Sequence, residues 1–132
     1  MNQVYTLKET ESDISNAKDV FDNINKFDID YEQENLIVFC LNTRNDIIHS
    51  EILFKGGVDS CLIDSKTLFR VALKFNSSNI IIAHNHPSGQ LTPSPDDIEI
   101  FKKLKQGGKL LQLPVLDSII FNKTEYYSIA MR

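Results

Sequence analysis

The sequence predicts an α/β domain with a mixed β-sheet, and three observations carry that expectation. A helix-period segment precedes two strand-like runs joined by a short polar loop. A continuous apolar run, Asn79 to Ala83, lies between two further helix-period segments, and three strand-like runs close the chain. The 132 residues fit one domain, able to bury roughly two thirds of its unfolded surface without disulfide staples.

Each element has its own signal. From Ser15 onward, Val20, Phe21, Ile24 and Phe27 recur at three- and four-residue spacing, one side of an amphipathic helix; residues 1–14 are polar and expected to be mobile. Asn35 to Leu41 and Ile47 to Phe54 are rich in β-branched and aromatic residues. The loop Asn42, Thr43, Arg44, Asn45, Asp46 suits a hairpin, so these two runs should pair antiparallel. After a turn at Gly56 and Gly57, Asp64 or Ser65 can cap a second helix carrying Leu68, Phe69, Val71, Ala72 and Phe75 and ending near Asn76. Asn79 to Ala83 reads as a buried strand. A third helix is expected from Pro95 to Gln106, with Ile98, Phe101 and Leu104 on one side and Gly107 as its terminator. Leu110 to Leu113, Val115 to Phe121 and Tyr126 to Ile129 supply the remaining strands.

Composition narrows the function. A formal net charge of -4 argues against a sequence-independent grip on nucleic acid, which needs many Lys and Arg on phosphates, so DNA is not supported as a partner. The N-terminus lacks the charged start and apolar core of a secretory signal, and no apolar run reaches the ~18–20 residues that cross a bilayer; a cytoplasmic protein without a membrane partner is expected. Cys40 and Cys61 show neither CxxC nor finger spacing and sit in apolar surroundings, as buried free thiols do.

The chemistry concentrates in HNHPSGQLTPSPDD, residues 84 to 97. In an extended segment His84 and His86 point the same way and Asn85 the other. A rise of ~3.3 Å per residue lets both imidazoles meet one ion, and the end of a central strand is where open α/β sheets place ligands. An isolated HxH is more often a polar strand end in water than a metal site. Ser94, Pro95, Asp96 and Asp97 read as a helix start, with serine at the N-cap, proline at the first helical position and acids in the first turn. That cap accounts for Ser94 and Asp97 without a metal, yet it also aims the Asp97 carboxylate back toward the loop. Two histidines and a carboxylate make a hydrolytic zinc site with one position left for water. For the proton acceptor outside the metal's shell, Glu51 in IIHSEILF is the candidate, although a half-exposed strand accommodates a glutamate there as well. His49 shares its face and is expected to be solvated.

His84, His86, Ser94 and Asp97 fit the spacing H-x-H-x7-S-x2-D, with Glu51 upstream, and this resembles the signature of the JAMM (MPN-type) zinc metallopeptidases. The wider text NIIIAHNHPSGQLTPSPDDIEIFKKL, followed by LLQLPVLDSIIF, resembles the bacterial RadC branch of that superfamily over about Asp19 to Ser128. The resemblance implies a three-layer, cytidine-deaminase-like fold, Zn2+ held by His84, His86 and Asp97, Glu51 as general acid/base and Ser94 helping to stabilise an oxyanion. It also implies a peptide or isopeptide substrate. Relatives commonly carry a helix-hairpin-helix segment, which residues 1–18 do not supply, and histidine where this chain has Asp64 and Ser118. The other expectation is a non-catalytic accessory module in DNA repair, recombination or mobile-element biology. Two further likenesses fail: the HNH nuclease motif is dispersed over a ββα unit, and zinc deaminases need a glutamate two residues after the first histidine, where this chain has His86.

Overall fold

A computed structural model describes residues 17–56 and 64–130, in the order α1 (Ala17–Ile24), β1 (Glu34–Leu41), β2 (Ile47–Gly56), α2 (Ser65–Lys74), β3 (Asn79–Asn85), α3 (Pro95–Leu110), β4 (Val115–Phe121) and β5 (Tyr126–Ser128). The five strands form one mixed sheet ordered β2-β1-β3-β4-β5. β1 runs antiparallel to both β2 and β3, β3 pairs parallel with β4, and β4 pairs antiparallel with β5. The expected hairpin and the mixed α/β sheet are therefore present. Residues 1–14, Gly57 and Cys61 lie outside the described residues.

Helices cover both faces, giving three layers. On one face Ala17, Val20 and Ile24 of α1 pack on Ile37, Phe39, Leu41, Ile81, Ala83, Ile119 and Phe121. On the other, Leu68, Phe69 and Ala72 of α2 and Phe101 and Leu104 of α3 pack on Leu36, Val38, Cys40, Ile80, Ile82 and Ile120. β1 and β3 alternate between two apolar faces, which is why they read as unbroken apolar runs. Fully burying each large aliphatic side chain contributes ~1.5–3 kcal/mol, so the central strands are anchored from both sides.

Two expectations change at the end of α3. The helix runs through Gly107 and Gly108 to Leu110. It stops where Gln112 adopts a φ of 56°, with Leu113 N–H donating to Gly108 O at 2.7 Å and Gln112 N–H to Lys109 O at 3.2 Å. That pattern is a Schellman ending with Gln112 in the left-handed position usually given to glycine. Leu110 to Leu113 is accordingly a helix end and turn, not a strand. Close packing explains the glycines: a Cβ on Gly108 would lie 2.3 Å from the Leu113 carbonyl oxygen, and one on Gly107 would lie 3.2 Å from the Phe69 ring.

Candidate metal centre

Strand polarity gathers the polar groups at one end. β3 ends at Asn85, α3 begins at Pro95, and antiparallel β1 begins at Glu34 beside them. Pro87 has no N–H to extend a ladder, so the chain leaves the sheet just after His86. It returns at Ser94, whose hydroxyl accepts from Asp97 N–H at 3.1 Å while Asp97 Oδ2 accepts from Ser94 N–H at 2.8 Å. This reciprocal capping box fixes the Asp97 carboxylate against β3.

Asp97 is thus a cap and a candidate ligand at once. His86 Nε2 lies 3.0 Å from Asp97 Oδ2 and His84 Nε2 lies 3.2 Å from Asp97 Oδ1. One ligand atom from each of the three residues falls within 4.8 Å of the others, the only such His/Cys/Asp/Glu group among the described residues. His86 Nδ1 faces Gln90 O at 3.0 Å, a contact that suits Nδ1–H donating to the carbonyl and leaves Nε2 to face the centre. The contact from His84 to Asp97 lacks the alignment of a hydrogen bond, so both ring nitrogens of this buried histidine are without a hydrogen-bond partner. An unsatisfied buried imidazole is costly, and a cation between the three residues would take up the lone pair of Nε2.

The electrostatics describe a site that holds positive charge. Burial alone would push the Asp97 carboxyl up, but the close approach of the His84 imidazole and the hydrogen bonds of His86 and the Ser94 N–H outweigh it and hold the group well below the usual carboxylate range. Hydrogen bonding to Asp97 raises His86 above the ordinary imidazole value, against the opposing effect of burial. A cavity of about 540 Å3 opens onto the site, lined by Glu34, His86, Pro87, Ser88, Gln90, Thr92, Ser94, Asp96 and Asp97.

The structure brings His84, His86, Ser94 and Asp97 together and leaves Glu51 elsewhere. Glu51 pairs across β1 with Val38, which pairs with Ile82 on β3. It therefore lies two strands from β3 and two residues short of His84, about 12 Å by strand spacing and rise. Its Oε1 is bonded instead to His49 Nε2 at 2.6 Å. His49, expected in solvent, is fully buried and stacked on Phe75 at 3.6 Å, near the C-terminal end of α2 and away from the end of the sheet that carries His84. Asp64 caps α2, accepting from Lys66 N, Thr67 N and Thr67 Oγ1, and Ser118 is buried beside Ile82 on the sheet face that carries His84.

Glu34 is the residue that sequence reasoning missed. It shares alternation with Leu36, Val38 and Cys40, and so projects to the side of the sheet that carries His84 and His86. The β1–β3 register pairs residues whose numbers sum to 120, and continuing it sets Glu34 opposite His86. Glu34 is buried, and its charge is among the influences that raise His86. The available signal was its parity with the apolar positions of β1.

A three-layer α/β unit with a His-His-Asp group at a strand–helix junction could hold a metal ion. Residues 14–132 match the family described as RadC-like JAB domain, and the chain belongs to that family. Among its relatives, a UPF0758 protein of Enterococcus faecalis is 42% identical over 98 residues, 74% of this chain and 42% of the relative. A UPF0758 protein of Chlorobium chlorochromatii is 38% identical over 116 residues, 88% and 52% of the two chains. One from Methanosarcina barkeri is 33% identical over 123 residues, 93% and 54%. The chain spans about half the length of these relatives. No helix among the described residues is long and apolar enough to cross a membrane.

Proposed function

We propose that this chain is a zinc-dependent amide hydrolase acting on a peptide or protein, with Glu34 in the general acid/base role that the sequence offered to Glu51. The observation that carries the reading is His84, a buried imidazole with no hydrogen bond at either nitrogen, facing His86 and the charged Asp97. Two imidazoles and one carboxylate suit Zn2+ and leave a coordination position free. When bound, the ion supplies Lewis-acid polarisation of the scissile carbonyl and lowers the pKa of a water to ~7.

The chain's own residues do the rest. Asp97 and the two histidines would hold the ion, and Gln90 O and the Ser94 N–H orient two of these side chains from outside. Glu34, on the wall of the cavity, accepts a proton from the attacking water and returns it to the leaving amine. Ser94 Oγ accepts from Asp97 N–H, which leaves its own hydroxyl hydrogen to donate to the oxygen on which negative charge develops. The kinship to cytidine-deaminase-like folds and the single-domain organisation belong to the same proposal.

Elemental analysis of protein purified without added zinc, combined with cleavage of a fluorescence-quenched peptide library, tests the reading. About one zinc per chain should persist in Glu34→Gln while cleavage falls ~10²–10⁴-fold. Glu51→Gln should keep both metal and most of the turnover. A metal-free native protein would end this reading. Zinc without cleavage in the wild type would favour the accessory module instead.

A further inference from the structure

Asn85 lies between the two candidate histidine ligands, and its side chain goes to the opposite face of the sheet. It is fully buried there. Its Oδ1 accepts from Asn35 N–H at 2.8 Å and from Asn35 Nδ2 at 3.0 Å, and its Nδ2 donates to Gln33 O at 2.9 Å. A backbone donor on one side and a backbone acceptor on the other fix the orientation of the amide without ambiguity. Gln33 and Asn35 are the two neighbours of Glu34. In the β1–β3 register Gln33 would face Pro87, which has no N–H to give, so the Asn85 amide supplies the donor that the backbone lacks.

From this juxtaposition we infer that Asn85 is a positioning residue: one side chain pins the backbone on both sides of Glu34 to the end of β3, between His84 and His86, and so sets where the base stands relative to the metal. The inference rests on the proposed function for its consequence, while the clamp itself stands on hydrogen bonds already described. Asn85 touches neither imidazole, so its loss should disturb Glu34 and spare the ligands. A misplacement of ~1 Å in such a group is enough for a large kinetic effect.

The test uses the full chain loaded with Co2+ as a spectroscopic probe, in the wild type, Asn85→Ala, Asn85→Asp, Glu34→Gln and Asp97→Asn. Asn85→Asp keeps the acceptor half of the clamp, and it carries the comparison if Asn85→Ala does not fold. Three quantities are read: Co2+ affinity, the pH midpoint of the Co2+ absorption band, and hydrogen exchange at the Asn35 amide. In Asn85→Ala the midpoint should move toward that of Glu34→Gln, and Asn35 exchange should rise by about tenfold or more. Affinity should fall by less than the ~10- to 100-fold typical of removing a group bonded to a metal ligand. A wild-type midpoint, or unchanged Asn35 exchange, overturns the inference. So does an affinity loss as large as that of Asp97→Asn, because Asn85 would then be acting through the ligands. Wild-type protein that takes up no Co2+ removes the metal reading and this inference with it. Co2+ uptake with identical midpoints in the wild type and Glu34→Gln removes the assignment to Glu34 and the positioning role, leaving the metal site standing.

Discussion

The α2/α3 face of the sheet carries two histidine–carboxylate constellations with different surroundings. At the end of β3, His84 and His86 converge on Asp97 beside a cavity of about 540 Å3. On β2, His49 bonds Glu51 under the ring of Phe75, and its Nδ1 finds no partner among the described residues. Both contain a buried imidazole with an unsatisfied nitrogen. Only the first sets a second imidazole and an open cavity against the same carboxylate, and a metal requires that convergence. A histidine next to an acid on one strand is therefore weak evidence of a site, whereas histidine and acid brought together by a strand end and a helix cap are strong evidence.

The sharpest way to break this comparison is to cut each constellation and weigh the metal. Asp97→Asn or His86→Ala should lower zinc affinity by more than the ~10- to 100-fold associated with losing an outer-shell partner, measured by competition with a chelator. His49→Ala should leave about one zinc per chain. Equal losses would mean that the two constellations communicate, and the contrast would fail.

Stability should show the opposite ranking. His49 is fully buried and stacked, and its removal leaves a cavity and strips Glu51 of a short hydrogen bond, a cost of ~2–4 kcal/mol in urea unfolding of the metal-free protein. His86 is partly exposed, with 20% of its side chain accessible, and His86→Ala should cost about 1 kcal/mol or less once metal is absent. Gly108→Ala is a useful control in a third place, because its Cβ would meet the Leu113 carbonyl at 2.3 Å, an overpacking cost of ~1–3 kcal/mol.

These two regions also mark the limits of sequence reading. The HxH period, the Ser-Pro-Asp-Asp cap and the hairpin are local signals; they nominated His84, His86 and Asp97, and the family resemblance joined the three into one ligand set. Glu34 and His49 required the order of strands. Glu34 reaches the cavity because β1 neighbours β3 in a particular register, and His49 is buried because α2 ends over β2. Both are long-range facts with no periodic trace, and the strand read from the sequence starts at Asn35, one residue after Glu34. Gly107 misled for a similar reason: a glycine near a helix end resembles a cap until its close neighbour, the Phe69 ring, is known.

Acidity distinguishes the metal-free site more finely. Asp97 is depressed, so its contribution to stability is present above the unfolded value of ~3.9 and is lost as pH falls through its lower folded value. His86 is raised, so its contribution is present below ~6.5 and is lost as pH rises through its higher folded value. The stability difference between metal-free wild type and Asp97→Asn should therefore be largest between about pH 4 and 6.5, read from urea midpoints. Zinc needs the deprotonated imidazole, so its affinity should weaken across the same window as protons compete. A flat difference profile would mean that the three side chains do not interact as their distances indicate.

The smallest effect concerns Cys40, which lies on the same face and pairs in register with His49. A cysteine beside a histidine invites a reading as a nucleophile. Burial pushes this thiol up to about 11, and the Glu51 charge adds to that. At neutral pH the thiolate that reacts is therefore scarce, and the fully buried sulfur is also shielded from reagents. Iodoacetamide labelling followed by peptide mapping should leave Cys40 unmodified in native protein and label it in urea. Rapid native labelling would show that the β2 end of the sheet opens readily, and the comparison between a sealed pair and an accessible metal end would have to be redrawn.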